Sequence, residues 1–408
     1  MIRLGRRLMR RLWPRGRRAR AVSAGVAVVV AAAAVAGGVA AASGPGPVTA
    51  RDVRISVTDG PHDDQHVVLD ATFFTPSGTG RVPSILLAHG FGETKDNVRP
   101  EAESLAQAGF AVLTWSARGF GASTGQIALD SPGYEVKDVE GLVSWLGAQP
   151  QVLLDHPGDP RVGIAGGSYG GGIALLAAAY DHRIDAVVAQ STWNNLATAL
   201  FPDAAAGGSP TDGVFKRQWA SLLFTAGAGA GGSLCGRFLP GICAVYQQAS
   251  RTGMATPQAI AMLDASSPSS VASRMAAPTL LVQGEQDSLF GLDQADANYE
   301  ALRRNGTPAD MVWFAGGHDG GSQETARVDA LTAAWFHRWL DAGAAPTGTA
   351  SVPANTVPAN TGQPGFAVTR TLGLDPTDGS VSLGVAAAPR YPGLGGTRQQ
   401  DVFLSGPR

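Results

Sequence analysis

The chain has 408 residues, 44% of them hydrophobic and 16% charged, which is enough apolar sequence for a large core and far from a disordered composition. A formal net charge of -2 gives no electrostatic reason to bind nucleic acid or another polyanion, and a small or neutral substrate fits better. Lysine occurs only at Lys95, Lys137 and Lys216, so positive charge is almost all arginine, a bias without mechanistic consequence.

Residues 1–50 read as a segment outside the fold. Arg3, Arg6, Arg7, Arg10, Arg11, Arg15, Arg17, Arg18 and Arg20 precede an uncharged apolar run from Ala21 to Ala42, the order of an export signal. Ala40-Ala41-Ala42 matches a small-residue cleavage site, yet the run is long enough to cross a bilayer, so cleaved signal and membrane anchor both stay open. Either way the arginines hold the N-terminus in the cytoplasm and the remainder is expected outside it.

Short strands follow, Val53 to Thr58 and Val67 to Phe74, flanking a polar turn as an opening antiparallel hairpin would. His62, Asp63, Asp64 and His66 in that turn read as solvated residues, because no further ligand lies near enough in sequence for a metal site. Apolar runs then recur at Ser84 to Ala88, Phe110 to Trp115, Val162 to Ala165, Ile184 to Ala189, Pro278 to Val282 and Met311 to Phe314, as parallel strands buried on both faces require. Helical periodicity alternates with them at Val98 to Ala108, Tyr134 to Leu146, Tyr169 to Ala179 and Glu324 to Trp339. The expected fold class is therefore α/β, a mostly parallel doubly wound sheet, in a domain spanning 51–343.

That alternation breaks at about 192–277, a glycine- and alanine-rich stretch expected to form a helical lid. It holds the chain's two cysteines, Cys235 and Cys243, which in an exported protein are expected to form a disulfide. Residues 344–365, with Val-Pro-Ala-Asn-Thr at Val352 and again at Val357, have linker composition. Residues 366–408 alternate as a β segment, too short to close a sandwich.

Two Gly-x-Ser-x-Gly matches compete for a nucleophile. Gly166-Gly167-Ser168-Tyr169-Gly170 joins a strand directly to a helix start of minimal side chains, the strained turn that exposes a serine hydroxyl. Gly121-Ala122-Ser123-Thr124-Gly125 follows its strand after a loop and precedes polar sequence, so Ser123 reads as a loop serine. A serine needs a base, and of seven histidines only His318 lies just beyond the last strand, in a glycine-rich loop that lets the ring turn inward. His337 falls within a helix. The acid should end the preceding strand, where Asp287 follows the Gly284 turn and Glu285 is second choice. The oxyanion of a tetrahedral intermediate needs two N–H donors, and Tyr169 and Phe91 occupy the places for them. His89, beside Phe91, reads as scaffold.

His89-Gly90-Phe91-Gly92, the segment Trp115 to Ser123, Gly167-Ser168-Tyr169-Gly170-Gly171, Gly284 to Asp287 and His318 together resemble the peptidase S15 family of the α/β-hydrolase superfamily, over roughly Arg51 to Asp341. The family holds Xaa-Pro dipeptidyl-peptidases and cocaine-esterase-like acyl hydrolases. The resemblance implies an α/β-hydrolase fold with a helical lid, a Ser168-Asp287-His318 triad, and an ester, amide or Xaa-Pro peptide substrate. It also implies that the terminal β segment begins the family's jelly roll. Many members carry a tyrosine where Phe91 stands, its hydroxyl helping to hold the oxyanion, and no acidic residue for a substrate's free amine is assignable from sequence. The competing reading is a catalytically silent hydrolase-fold surface or binding protein. No Gly-x-Gly-x-x-Gly fits at Gly166 and no lysine follows a glycine-rich loop, so nucleotide binding fails on spacing. No cofactor and no metal are expected, and the oligomeric state is not legible.

Overall fold

The computed structural model describes residues 47–396 apart from 79, 203–209, 230–233, 342–364 and 375–380. The expected signal or anchor segment therefore lies almost wholly outside the described residues, as do the linker and the last residues of the β segment.

Ten strands form one sheet: β1 (Val48–Asp59), β2 (Gln65–Pro76), β3 (Ser84–Ala88), β4 (Ala111–Ser116), β5 (Val162–Gly167), β6 (Ile184–Gln190), β7 (Thr279–Gly284), β8 (Ala309–Phe314), β9 (Phe366–Leu374) and β10 (Val381–Ala388), in the order β1-β2-β4-β3-β5-β6-β7-β8-β9-β10. β3 to β8 run parallel to one another. Every residue of β3, β4 and β7 is buried, which is why these segments read as unbroken apolar runs rather than alternations. The β1–β2 hairpin is longer than expected, with Ile55 opposite Leu69 and Val57 opposite Val67 facing inward, and β2 attaches antiparallel to β4.

Helices cover both faces. α2 (Glu135–Gly147), α3 (Tyr169–Tyr180) and α8 (Leu292–Arg304) seal one with Leu142, Leu175 and Leu302. α1 (Arg99–Gln107) and α9 (Thr325–Leu340) seal the other with Leu105, Trp335 and Phe336. Gly163 in β5 lets α9 settle on the centre of the sheet, since a Cβ there would stand 2.3 Å from the Phe336 ring. Between β6 and β7 the expected insertion carries α4 (Leu196–Leu200), α5 (Arg217–Ala228), α6 (Pro240–Thr252) and α7 (Pro257–Ala265). Asn195 and Thr256 cap α4 and α7 by accepting from Thr198 N and Ala259 N. Cys235 and Cys243 are bonded, tying the segment before α6 to its first turn. In the chain-entropy view, closing so short a loop is worth about 2.5 kcal/mol, useful in a glycine-rich segment.

Two elements differ from expectation. α8 was not anticipated, being polar overall, and part of its inward face is polar too: Gln294 accepts from Asn194 N and Asn195 N, and Asn298 from the Asn194 side chain. The second is the C-terminal β segment, whose described strands extend the central sheet. β9 pairs parallel with β8, Met311 opposite Phe366, and β10 folds back antiparallel on β9. The reason is local: the Phe366 ring meets Trp313 at 5.1 Å, and Tyr391 returns to Trp313 and Tyr299. The segment's apolar residues thereby cover an open sheet edge.

Candidate active site

Ser168 sits at the turn from β5 into α3 with φ 55° and ψ -116°, a strained backbone for a residue with a Cβ. The turn closes because its neighbours lack side chains. A Cβ on Gly166 would lie 2.6 Å from the Gly170 backbone, and one on Gly170 would lie 2.5 Å from Ala88 O. The elbow is held by Ser168 N donating to Gln190 O at 2.9 Å and by Thr192 Oγ1 donating to Ser168 O at 2.9 Å.

His318 and Asp287 come from the loops after β8 and β7, and both reach this point. His318 Nε2 lies 2.8 Å from Ser168 Oγ, and His318 Nδ1 lies 2.6 Å from Asp287 Oδ2. A carboxylate only accepts, so Nδ1 carries the hydrogen and Nε2 is left to accept from the serine hydroxyl. The Asp287 side chain is 0% exposed, and its other oxygen accepts from Leu289 N and Phe290 N at 3.0 and 2.9 Å, leaving the carboxylate one orientation. The histidine ring is flanked edge-on by Phe290 and Trp219. Asp319 ties the two loops together by accepting from Ser288 N and Oγ. Gly317 permits that contact, because a Cβ there would stand 2.7 Å from the Asp287 backbone.

The other sequence candidates fall as follows. Among the described residues, nothing accepts from the N–H of Phe91 or of Tyr169, the first residue of α3. The Phe91 ring packs among Phe120, Tyr169 and Phe238 at 5.0, 5.2 and 5.9 Å. His89 takes Ala117 N on Nε2 and places Nδ1 2.7 Å from Gly90 O, with burial pushing it down to about 4, so it braces the loop as a neutral ring. Ser123 is bonded both ways, donating to Ser116 O and accepting from Asp70 N, which makes it a strut between loop and sheet. His337 pairs with Asp341 on the outer side of α9. Asp63 in the polar turn pairs with Lys137. Among the described residues no group of three or more His, Cys, Asp or Glu side chains is disposed to hold a metal ion.

Sequence reading missed a buried polar layer beneath the elbow. The Tyr169 hydroxyl donates to Glu135 Oε1 and accepts from Asp130 N, each at 3.2 Å. Glu135 also accepts from Ala128 N and Ser131 N. Arg118, buried against the Tyr134 ring, pairs with Asp59 and lies 3.9 Å from Asp138. Burial holds Asp130 and Asp138 well above the usual carboxylate range and pushes Glu135 up to about 7 against the opposing pull of Arg118. The layer fixes Tyr169 from below. Arg118 stood within a quoted motif, but nothing in the spacing of Asp130 or Glu135 marked them.

Two cavities meet at Ser168. One, about 850 Å³ of empty space partly open to solvent, runs under the helical insertion, and among the described residues no charged side chain lines it. The other, about 1140 Å³ and more open, is lined by His318, Gln190, Gln323 and the carboxyl groups of Glu93, Glu101 and Asp329. Burial, helped by Asp329, pushes Glu101 up to about 8 from its ordinary 4.5, and its Oε1 has no partner. Between those two values the folded chain keeps a proton that the unfolded chain releases, so this group's contribution to stability falls as pH rises through the window. Glu101→Gln should melt close to wild type near about pH 5 and higher than wild type near about pH 9. Parallel melting curves at both pH values would disprove the assignment.

A family model described as X-Pro dipeptidyl-peptidase (S15 family) matches residues 63–320. An uncharacterized 31.7 kDa protein from the traX-finO intergenic region of Escherichia coli is 36% identical over 120 residues, 29% of this chain and 40% of that one. The quorum-quenching protein AidA of Acinetobacter baumannii is 34% identical over 131 residues, 31% of this chain and 41% of that one. The matched regions thus span about two fifths of these relatives. Among solved structures, the acylaminoacyl peptidase of Pyrococcus horikoshii superposes with a TM-score of 0.52 at 18% identity, covering 75% of this chain and 44% of that one, a likeness of fold.

Proposed function

This chain belongs to the X-Pro dipeptidyl-peptidase (S15) family of hydrolases, and from that premise we propose that it is a serine hydrolase working through a covalent acyl-enzyme on Ser168. The observation that carries the reading is the unbroken relay from Ser168 Oγ through His318 to a buried, singly oriented Asp287 on a strained elbow. Ser168 Oγ attacks the acyl carbonyl as His318 Nε2 takes its proton. The oxyanion is held by the N–H groups of Tyr169 and Phe91, the first reinforced by the N-terminus of α3. His318 then returns the proton to the departing heteroatom, and a water repeats the sequence to free the acid. A fluorophosphonate probe should label Ser168 stoichiometrically. An unlabelled, well-folded protein would favour the silent binding module instead.

In this reading Phe91 contributes its backbone alone, the ring being taken up by Phe120, Tyr169 and Phe238. Phe91→Pro removes the donor, and kcat should drop about 10²–10³-fold on a small activated ester. Near-normal turnover would take Phe91 out of the oxyanion hole. The reaction is proposed to run outside the cytoplasm, free or tethered by the N-terminal segment. The arginine-led apolar run and the Cys235–Cys243 bridge, a bond that persists in oxidising compartments, support this.

A further inference from the structure

Resting on the serine-hydrolase reading above, we infer that the substrate is the ester or amide of a lipophilic acid with a polar, non-anionic leaving group, and not a peptide with a free N-terminal amine. The orientation follows from the histidine. His318 must hand its proton to the leaving heteroatom, so the leaving group occupies the cavity that His318 lines. That is the open cleft, with Glu93, Glu101 and Asp329 in its wall and no lysine or arginine among its described residues. The acyl group takes the remaining cavity, which Ser168, Phe91 and Tyr169 enter and His318 does not. Its walls include Phe224, Phe238 and Ile242 from the insertion, and no described carboxylate is available there to pair an ammonium group. An unpaired ammonium buried against such walls costs far more than an alkyl chain, whose burial is favourable.

The test is a series of p-nitrophenyl esters from acetate to octanoate on the full protein. kcat/KM should rise about fourfold per methylene until the cavity fills. Ala249 on α6 lines this cavity, and Ala249→Phe should lower the octanoate-to-acetate ratio by at least about fifteenfold, the loss of room for two methylenes or more at about fourfold each. Octanoyl 4-nitroanilide should outrun Ala-Pro 4-nitroanilide. Choline octanoate should outrun the octanoyl ester of glycolate by about tenfold or more, because Glu93 and Asp329 in the cleft wall repel an anionic leaving group, Glu101 being held neutral by burial. A flat or falling chain-length series, or preference for Ala-Pro anilide, on a protein whose Ser168 still takes the fluorophosphonate overturns the inference and leaves the serine hydrolase standing. No labelling and no ester hydrolysis overturns both. The wild-type series needs no variant, so poor folding of Ala249→Phe does not shield the inference.

Discussion

Ser168→Ala is expected to lower kcat by about 10⁶-fold, close to the loss on removing a whole triad, because the three residues act as one unit. The fold should be untouched. Alanine meets the same positive φ that serine already bears, the elbow's backbone bonds to Gln190 and Thr192 do not involve Oγ, and the one bond lost is that to His318. Far-UV circular dichroism and the melting temperature should match wild type while fluorophosphonate labelling disappears. Ser123→Ala is the control that separates the two Gly-x-Ser-x-Gly matches. Ser123 is a strut to Ser116 and Asp70, so its loss should cost about 1 kcal/mol of stability and little turnover. Activity retained by the Ser168 variant and lost by the Ser123 variant would reverse the choice.

The elbow was legible because its chemistry constrains the backbone. The strand and helix meet so closely around a serine at positive φ that two flanking positions have no room for a Cβ, and glycines stand there in the sequence at 166 and 170. Asp287 and His318 could be placed because each follows a strand whose apolar run marks its end. The same rule explains what was missed. α8 keeps an amphipathic period, but it is polar overall and presents Gln294 and Asn298 to the interior beside Ala295, Tyr299 and Leu302, so no apolar run marks it. The apolar cavity beside Ser168 draws Phe224 from α5 and Phe238 and Ile242 from around the disulfide. These residues are unremarkable one at a time, and their convergence depends on how short, glycine-linked helices pack. Glu135 and Asp130 were unreadable for a related reason. The Glu135 carboxylate and the Asp130 backbone N–H hold one tyrosine hydroxyl from beneath, contacts across 34 and 39 positions that carry no local pattern.

Asp287→Asn tests the link that makes the histidine a base, and kcat should fall by about 10⁴-fold with little change in stability. The amide oxygen can keep accepting from Leu289 N and Phe290 N, so the side chain stays where the carboxylate was. Its NH₂ then faces His318 Nδ1, where Oδ2 had accepted. A donor there selects the ring tautomer with a bare Nδ1 and a protonated Nε2, and that nitrogen no longer has a lone pair for the Ser168 proton. The imidazolium formed during acylation also loses its counter-charge in a pocket walled by Phe290 and Trp219, where little water can substitute. Because the loss lies in chemistry rather than binding, KM for an octanoate ester should move far less than kcat. Glu285→Gln is the matched control: Glu285 N bonds Phe314 O, its carboxyl makes no contact with His318, and turnover should stay near wild type. A loss below about tenfold for Asp287→Asn, or a larger loss for Glu285→Gln, would move the orienting role away from Asp287.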